Sequence, residues 1–166
     1  MNARLDYKKA APGAVKAMLE LEKYVDSGSL DSGLLDLVKI RASQLNGCAW
    51  CLDMHTKDAR ASGESEQRIY ALSSWREAPF FTKRERAALS WAEAVTLVAR
   101  EGVPDDVFEA ARRQFSQREL VDLTMAVVAI NGWNRLNVAF RRVPGDYISV
   151  RRSGAVRRKG RPSSSS

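Results

Sequence analysis

Apolar residues recur along this chain at helical spacing, and strand-like alternation is almost absent. A first helix is predicted from about Pro12 to Val25, with Val15, Met18, Leu19 and Leu21 on a broad apolar face and Gly28 beyond its end. A second runs from about Ser32 to Leu45 and carries Leu34, Leu35, Leu37, Val38, Ile40 and Leu45. Asn46-Gly47 stops it, because glycine takes up left-handed backbone angles without a steric penalty. A third begins close to Cys48 and continues to about Ala61, and a short one follows from Ser65. Thr82-Lys83-Arg84-Glu85 has capping-box spacing and opens a helix to about Ala99. Pro104 opens another to about Phe115, and Ser116-Gln117-Arg118-Glu119, a second capping box, precedes the longest, to about Phe140.

That last helix is apolar nearly all round, from Leu120 through Val127, Val128 and Ile130 to Val138. Such a helix needs burial on several sides, and in a small domain a second subunit is the economical way to provide it. The pattern therefore predicts an all-α bundle of about seven helices that is oligomeric. The only strand candidate is Tyr147-Ile148-Ser149-Val150.

At 166 residues, 45% of them apolar and 28% charged, the chain suits one globular domain with a real core. No apolar run is long enough to span a bilayer, and the segment around Lys8 and Lys9 lacks the apolar stretch of a secretory signal, so a cytoplasmic location is expected. The net charge of +7 is concentrated at the C-terminal end. From Val143 onward, Arg151, Arg152, Arg157, Arg158, Lys159 and Arg161 face Asp146 alone, ahead of a run of serines. Residues 1–142 are thus expected to form the helical domain and 143–166 a flexible basic tail. The body itself is only mildly basic, which argues against nucleic acid as a partner.

Two cysteines and one histidine are the whole stock of soft or titratable ligands near neutrality, and they lie together. On a helix starting at Cys48, the side chains of Cys48 and Cys51 share a face, and His55 falls on it one turn later. A helix N-terminus favours thiolate over thiol, and an imidazole can take the thiol proton or, when charged, stabilise the thiolate. Two thiols are also the minimum set for a sulfenic acid and its condensation to a disulfide. Two other readings use the same residues. The cysteines could be small buried hydrophobes, or Cys48, Cys51 and His55, with Asp36 as a fourth ligand, could hold zinc. A second, separated ligand pair is missing, as is the βαβ pattern of thioredoxin-like folds.

The stretch Leu35-Asp36-Leu37-Val38-Lys39-Ile40-Arg41-Ala42-Ser43-Gln44-Leu45-Asn46-Gly47-Cys48-Ala49-Trp50-Cys51-Leu52-Asp53-Met54-His55 resembles the core of the carboxymuconolactone decarboxylase/AhpD-like alkylhydroperoxidase family. Thr56-Lys57-Asp58-Ala59 and Asn131-Gly132-Trp133-Asn134-Arg135-Leu136 extend the likeness over most of the chain. The resemblance implies an all-helical fold, with dimers grouped into hexamers. It also implies hydroperoxide reduction without metal, haem or flavin, with a dithiol of the lipoyl type as external reductant. Cys51 would attack the peroxide and Cys48 resolve the sulfenic acid. His55 would link the thiol to an acidic residue twelve positions before the first cysteine, here Asp36 in place of the usual glutamate. Trp50 stands where the founding peroxidase type has histidine, and is expected to pack or to wall a substrate. Asn131, Asn134 and Arg135 are expected to be mainly structural. Decarboxylases of the family generally lack the cysteine pair, so that activity fits poorly. The alternative from another class is a non-peroxidatic thiol–disulfide carrier or redox-responsive interaction protein.

Overall fold

The computed structural model describes residues 2–151, and within them the protein is all-helical. The elements are α1 (Tyr7–Ala10), α2 (Pro12–Ser27), α3 (Ser32–Leu45), α4 (Ala49–Ala61), α5 (Glu66–Ala71), a single 3-10 turn (Leu72–Ser74), α6 (Lys83–Thr96), α7 (Val98–Glu101), α8 (Asp105–Arg112) and α9 (Gln117–Ala139). The seven expected helices are present as α2 to α6, α8 and α9. The two additions are single turns: α1, capped by the Asp6 side chain, and α7, split from the end of α6. Both are too short to show a hydrophobic period.

Local chemistry accounts for the boundaries. Both capping boxes form: Thr82 and Ser116 accept from the N–H of Glu85 and Glu119, whose carboxylates accept from the capping residues in return. Asp31 caps α3 through the N–H groups of Gly33 and Leu34. Gly47 adopts φ 63°, in the left-handed region, and the chain reverses there so that the Cys48 N–H donates to the Ser43 carbonyl at 3.0 Å. This tight turn seats Cys48 at the head of α4.

α3 packs against α4, α6 and α9, and its Val38, Ile40 and Ala42 are fully buried. α9 is enclosed mainly by its own chain, with α2, α3, α4, α6 and α8 all contacting it. The apolar character that pointed to a second subunit is therefore largely satisfied within one protomer. What remains outside is a narrow set of valines, with Val121 58% and Val128 46% exposed. Gly132 lets α2 come close, since a Cβ there would sit 2.8 Å from Cε of Met18.

Residues 143–151 correct two expectations. They form no strand: the Tyr147 carbonyl accepts from the Lys57 side chain rather than from a neighbouring strand, and the Tyr147 and Ser149 hydroxyls donate to Asp58 of α4. Nor do they leave the body as a free tail. Gly145 N–H donates to Asp53, Lys57 donates to the Tyr147 carbonyl, and Tyr147 and Ser149 both donate to the buried Asp58 carboxylate. The segment lies along α4, and the rest of the expected tail, from 152 on, falls outside the described residues. No helix among the described residues is long and apolar enough to cross a membrane.

Candidate active site

Cys48 is the N-cap of α4 and Cys51 lies in its first turn, so the Cys51 N–H points at Cys48 Sγ, 3.4 Å away. The two sulfurs are paired as a disulfide, with their Cα atoms 5.4 Å apart. Each residue is 1% exposed, and both pack with Ala42, Trp50 and Ile130. A cavity of about 450 Å³ opens beside them, walled by Trp50, Cys51, Met54 and His55 of α4 together with residues of α1, α2, α3, α9 and the C-terminal segment. Cys51 is on the wall of this cavity, whereas Cys48 lies behind it in the core.

A polar chain also leads to the Cys51 sulfur. Asn137 of α9, 3% exposed, donates from Nδ2 to Cys51 Sγ at 3.3 Å. Its Oδ1 accepts from the Tyr7 hydroxyl at 2.8 Å, and Arg142 reaches that hydroxyl at 3.4 Å. The Arg142 guanidinium also lies 3.5 Å over the Trp50 ring, a cation–π contact. A hydrogen bond accepted at an amide oxygen polarises the amide and strengthens its N–H as a donor. None of Tyr7, Asn137 or Arg142 was singled out from the sequence. The available signal was Asn131, Asn134 and Asn137 recurring every three residues on an otherwise apolar helix.

His55 lies on the same face as Cys51, but its surroundings differ from expectation. It is buried, and its Nδ1 has no hydrogen-bond partner among the described residues. Burial, then the positive charges of Lys39 and Arg151, push its pKa down to about 3, so the imidazole is neutral near neutrality. Asp36 does not bond to it. The Asp36 carboxylate pairs with Arg151 at 2.5 Å, and its Oδ1 is buried with no hydrogen-bond partner among the described residues. Burial raises the Asp36 pKa to about 6, against the opposing pull of Arg151 and Lys39. The expected Asp36–His55 link is thus replaced by an Asp36–Arg151 ion pair, and of the two states open to the imidazole the neutral one is favoured. The reason is the docked C-terminal segment, which brings a guanidinium into the place expected for imidazole.

Lys39, missed in the sequence, is also buried and pairs with Glu22 at 2.8 Å and Asp26 at 3.8 Å. The four-ligand zinc set is not assembled: no group of three His, Cys, Asp or Glu side chains among the described residues is placed to hold a metal ion. Asn131 and Asn134 act structurally. Both accept from Asn46 Nδ2, while Asn134 donates to Ser43 and Asn131 to Thr96. They pin α9 to the turn that presents Cys48. Arg135 donates to Asn131 and so belongs to the same network.

The model of the carboxymuconolactone decarboxylase family matches residues 12–94. The uncharacterized protein YdfG of Bacillus subtilis is 43% identical over 139 residues, spanning 84% of this chain and 95% of YdfG. Among solved structures, ATU0492 from Agrobacterium tumefaciens is 49% identical with a TM-score of 0.85, covering 88% of this chain and 100% of its own. It is a protein of unknown function for which a role in antioxidant defence, of the AhpD kind, has been suggested. The debrominase Bmp8 has a TM-score of 0.75 at 19% identity, over 83% of this chain and 74% of its own, and shares the fold.

Proposed function

The chain belongs to the carboxymuconolactone decarboxylase family, and we propose that within it the protein is a cysteine-dependent hydroperoxide reductase of the AhpD-like type. The observation that carries this reading is the asymmetry of the cysteine pair. Cys51 faces a cavity and has a polarised amide on its sulfur, while Cys48 is held behind it within bonding reach.

In the proposed cycle the Cys51 thiolate attacks the terminal oxygen of R–O–O–H. The O–O bond breaks, the alkoxide leaves and takes a proton to become R–OH, and Cys51 becomes a sulfenic acid. The Cys48 thiolate then attacks the Cys51 sulfur, hydroxide leaves and is protonated to water, and the disulfide forms. An external dithiol, a lipoyl group being the type the family suggests, restores both thiols by exchange and is itself oxidised. No metal, haem or flavin enters this balance. The Cys51 proton passes to solvent, because His55, held neutral with a pKa of about 3, is too weak a base to keep it. The leaving alkoxide takes its proton from water, and His55 is assigned to hydrogen-bond that oxygen. Asp36 is assigned to hold Arg151, whose charge adds to burial and Lys39 in keeping that imidazole neutral.

Such a cycle needs a reducing compartment, for which we propose the cytoplasm. We also propose a homo-oligomer, a hexamer built from three dimers, with the exposed Val121 and Val128 of α9 at a contact. Stoichiometry tests the reading. Reduced protein treated with one equivalent of cumene hydroperoxide should yield one equivalent of cumyl alcohol, one of internal disulfide, and no free thiol by mass spectrometry. Thiols left intact alongside efficient disulfide exchange with a dithiol would instead favour a non-peroxidatic carrier.

Asn137 provides a further expectation. A hydrogen bond to a charged group contributes about 1.5–3 kcal/mol, which corresponds to roughly one to two units of pKa. Asn137→Ala should therefore raise the Cys51 thiol pKa by that amount and slow its alkylation by iodoacetamide about tenfold or more at pH 7. The deficit should close at pH above the new pKa. A uniform loss at all pH values would indicate a packing defect instead.

A further inference from the structure

The cavity beside Cys51 has a charge pattern that peroxide reduction does not by itself require. Its volume of about 450 Å³ is within the usual range of small-molecule sites. Val15, Leu19, Met54 and Trp133 give it apolar walls. Among its ionic groups, Lys39 is answered by Glu22 and Asp26, and Arg151 by Asp36. Asp58 is engaged by Tyr147 and Ser149. Lys8 and Arg142 remain. Neither side chain forms an ion pair among the described residues, and Arg142 contacts only the Tyr7 hydroxyl and the Trp50 ring. They also repel one another: after burial, the Arg142 charge is the next cause of the lowered pKa of Lys8. Asp6 offsets part of this repulsion at Lys8, but neither side chain is paired with a carboxylate, and two such adjacent cations are poorly compensated unless an anion joins them.

A second observation points the same way. Trp50 Nε1 and His55 Nδ1 belong to residues lining this cavity, and both atoms are buried without a hydrogen-bond partner among the described residues. Buried polar atoms of this kind ordinarily have partners. The Trp50 ring joins the two features, since Arg142 covers its face while its N–H stays unused.

We propose that this cavity binds an amphipathic organic carboxylate, Lys8 and Arg142 holding the carboxylate at the mouth and the apolar walls taking the chain toward Cys51. The substrate class that follows is the hydroperoxide of a fatty-acid-like molecule, whose oxygens would give partners to Trp50 Nε1 and His55 Nδ1 once these side chains turn toward the cavity. The substrate assignment rests on the peroxidase reading, whereas the carboxylate site stands without it. The reaction balances as above, with R carrying the carboxylate.

Calorimetry with octanoate and octan-1-ol separates charge from chain. Octanoate should bind the full-length protein at least tenfold more tightly. Arg142→Met should remove that preference, and Arg142→Lys should retain most of it, which shows that a folded site persists. In parallel, the ratio of kcat/KM for linoleic acid hydroperoxide over its methyl ester should exceed ten and fall toward one in Arg142→Met. Equal affinity for octanoate and octan-1-ol in the wild type, or a preference unchanged in the Lys8→Met/Arg142→Met double variant, overturns the carboxylate site. If octanoate is preferred but neither hydroperoxide is consumed, the site stands and the peroxidase reading, with its substrate class, fails. If both hydroperoxides are consumed equally and octanoate shows no preference, the reverse holds.

Discussion

A Cys51→Ser variant is expected to consume hydroperoxide no faster than dithiol and peroxide do without protein. The thiolate is the attacking species, and a serine hydroxyl at the same place ionises far outside the working pH range and is a poor nucleophile without a strong base. His55 is not such a base, because burial and two nearby cations hold its pKa at about 3. Cys48→Ser should behave differently. The attacking sulfur, its cavity and the Asn137 hydrogen bond all remain, so one equivalent of peroxide should be reduced in a burst. Turnover should then stall at a Cys51 sulfenic acid, visible as the mass of one added oxygen and trapped by dimedone. The measurement is single-turnover peroxide loss followed by intact-mass analysis of both variants. A burst in Cys51→Ser and none in Cys48→Ser would exchange the two roles. Such an exchange would be hard to reconcile with a Cys48 that lies behind the cavity wall.

The asymmetry between the two cysteines belongs to tertiary structure, and it illustrates where sequence reasoning stops. The helices were legible because each has either a long apolar period or a local start signal. Both capping boxes and the Gly47 stop appear as expected. The Cys48, Cys51, His55 cluster was legible for the same reason, since positions three and four apart on a helix face one way regardless of what packs on them. The environment of the cluster was not legible. Arg151 reaches Asp36 across a sequence separation of 115, and Tyr7 reaches Asn137 across 130. No local pattern encodes such pairings. α1 is a single turn with no period to detect, yet it supplies both Tyr7 and Lys8.

Two misjudged features share one cause. The C-terminal segment was expected to be solvated because its composition is basic and poor in large apolar residues. Polar docking needs few of these. Three buried or half-buried carboxylates, Asp36, Asp53 and Asp58, bind the segment through Arg151, Gly145, Tyr147 and Ser149. The expected bond between Asp36 and His55 then loses its acceptor to a guanidinium, whose charge and planar donors suit a carboxylate better than a neutral imidazole does. For α9, periodicity shows that the helix needs burial on several sides but not how many neighbours its own chain supplies. α9 has five within its own protomer.

The two displaced groups, Asp36 and His55, should leave opposing marks on stability as pH changes. Asp36 has a folded pKa of about 6 against a reference of 3.8, so the folded state favours its neutral form. Its contribution is fully present below the unfolded value and is lost as pH rises through the folded one. His55 has a folded pKa of about 3 against 6.5, so the folded state again favours the neutral form, here the deprotonated one. Its contribution is present above the unfolded value and is lost as pH falls. Between about pH 4 and 6 the two slopes, each on the order of 1.4 kcal/mol per pH unit, oppose and largely cancel. Removing either partner should expose the other. His55→Gln should gain stability relative to wild type on acidification from pH 6 to 4, by about 2–3 kcal/mol over the window. Asp36→Asn should lose a similar amount over the same window. Urea midpoints measured at half-unit steps, taken as differences from wild type, isolate the two groups. Carboxylates such as Glu85 and Glu93, whose ion pairs lower their pKa values, titrate alike in all three proteins and drop out. Parallel curves for wild type and both variants would mean that neither group is held neutral by the fold. The docked Arg151 segment would then have to be more open to solvent than its bond to Asp36 indicates.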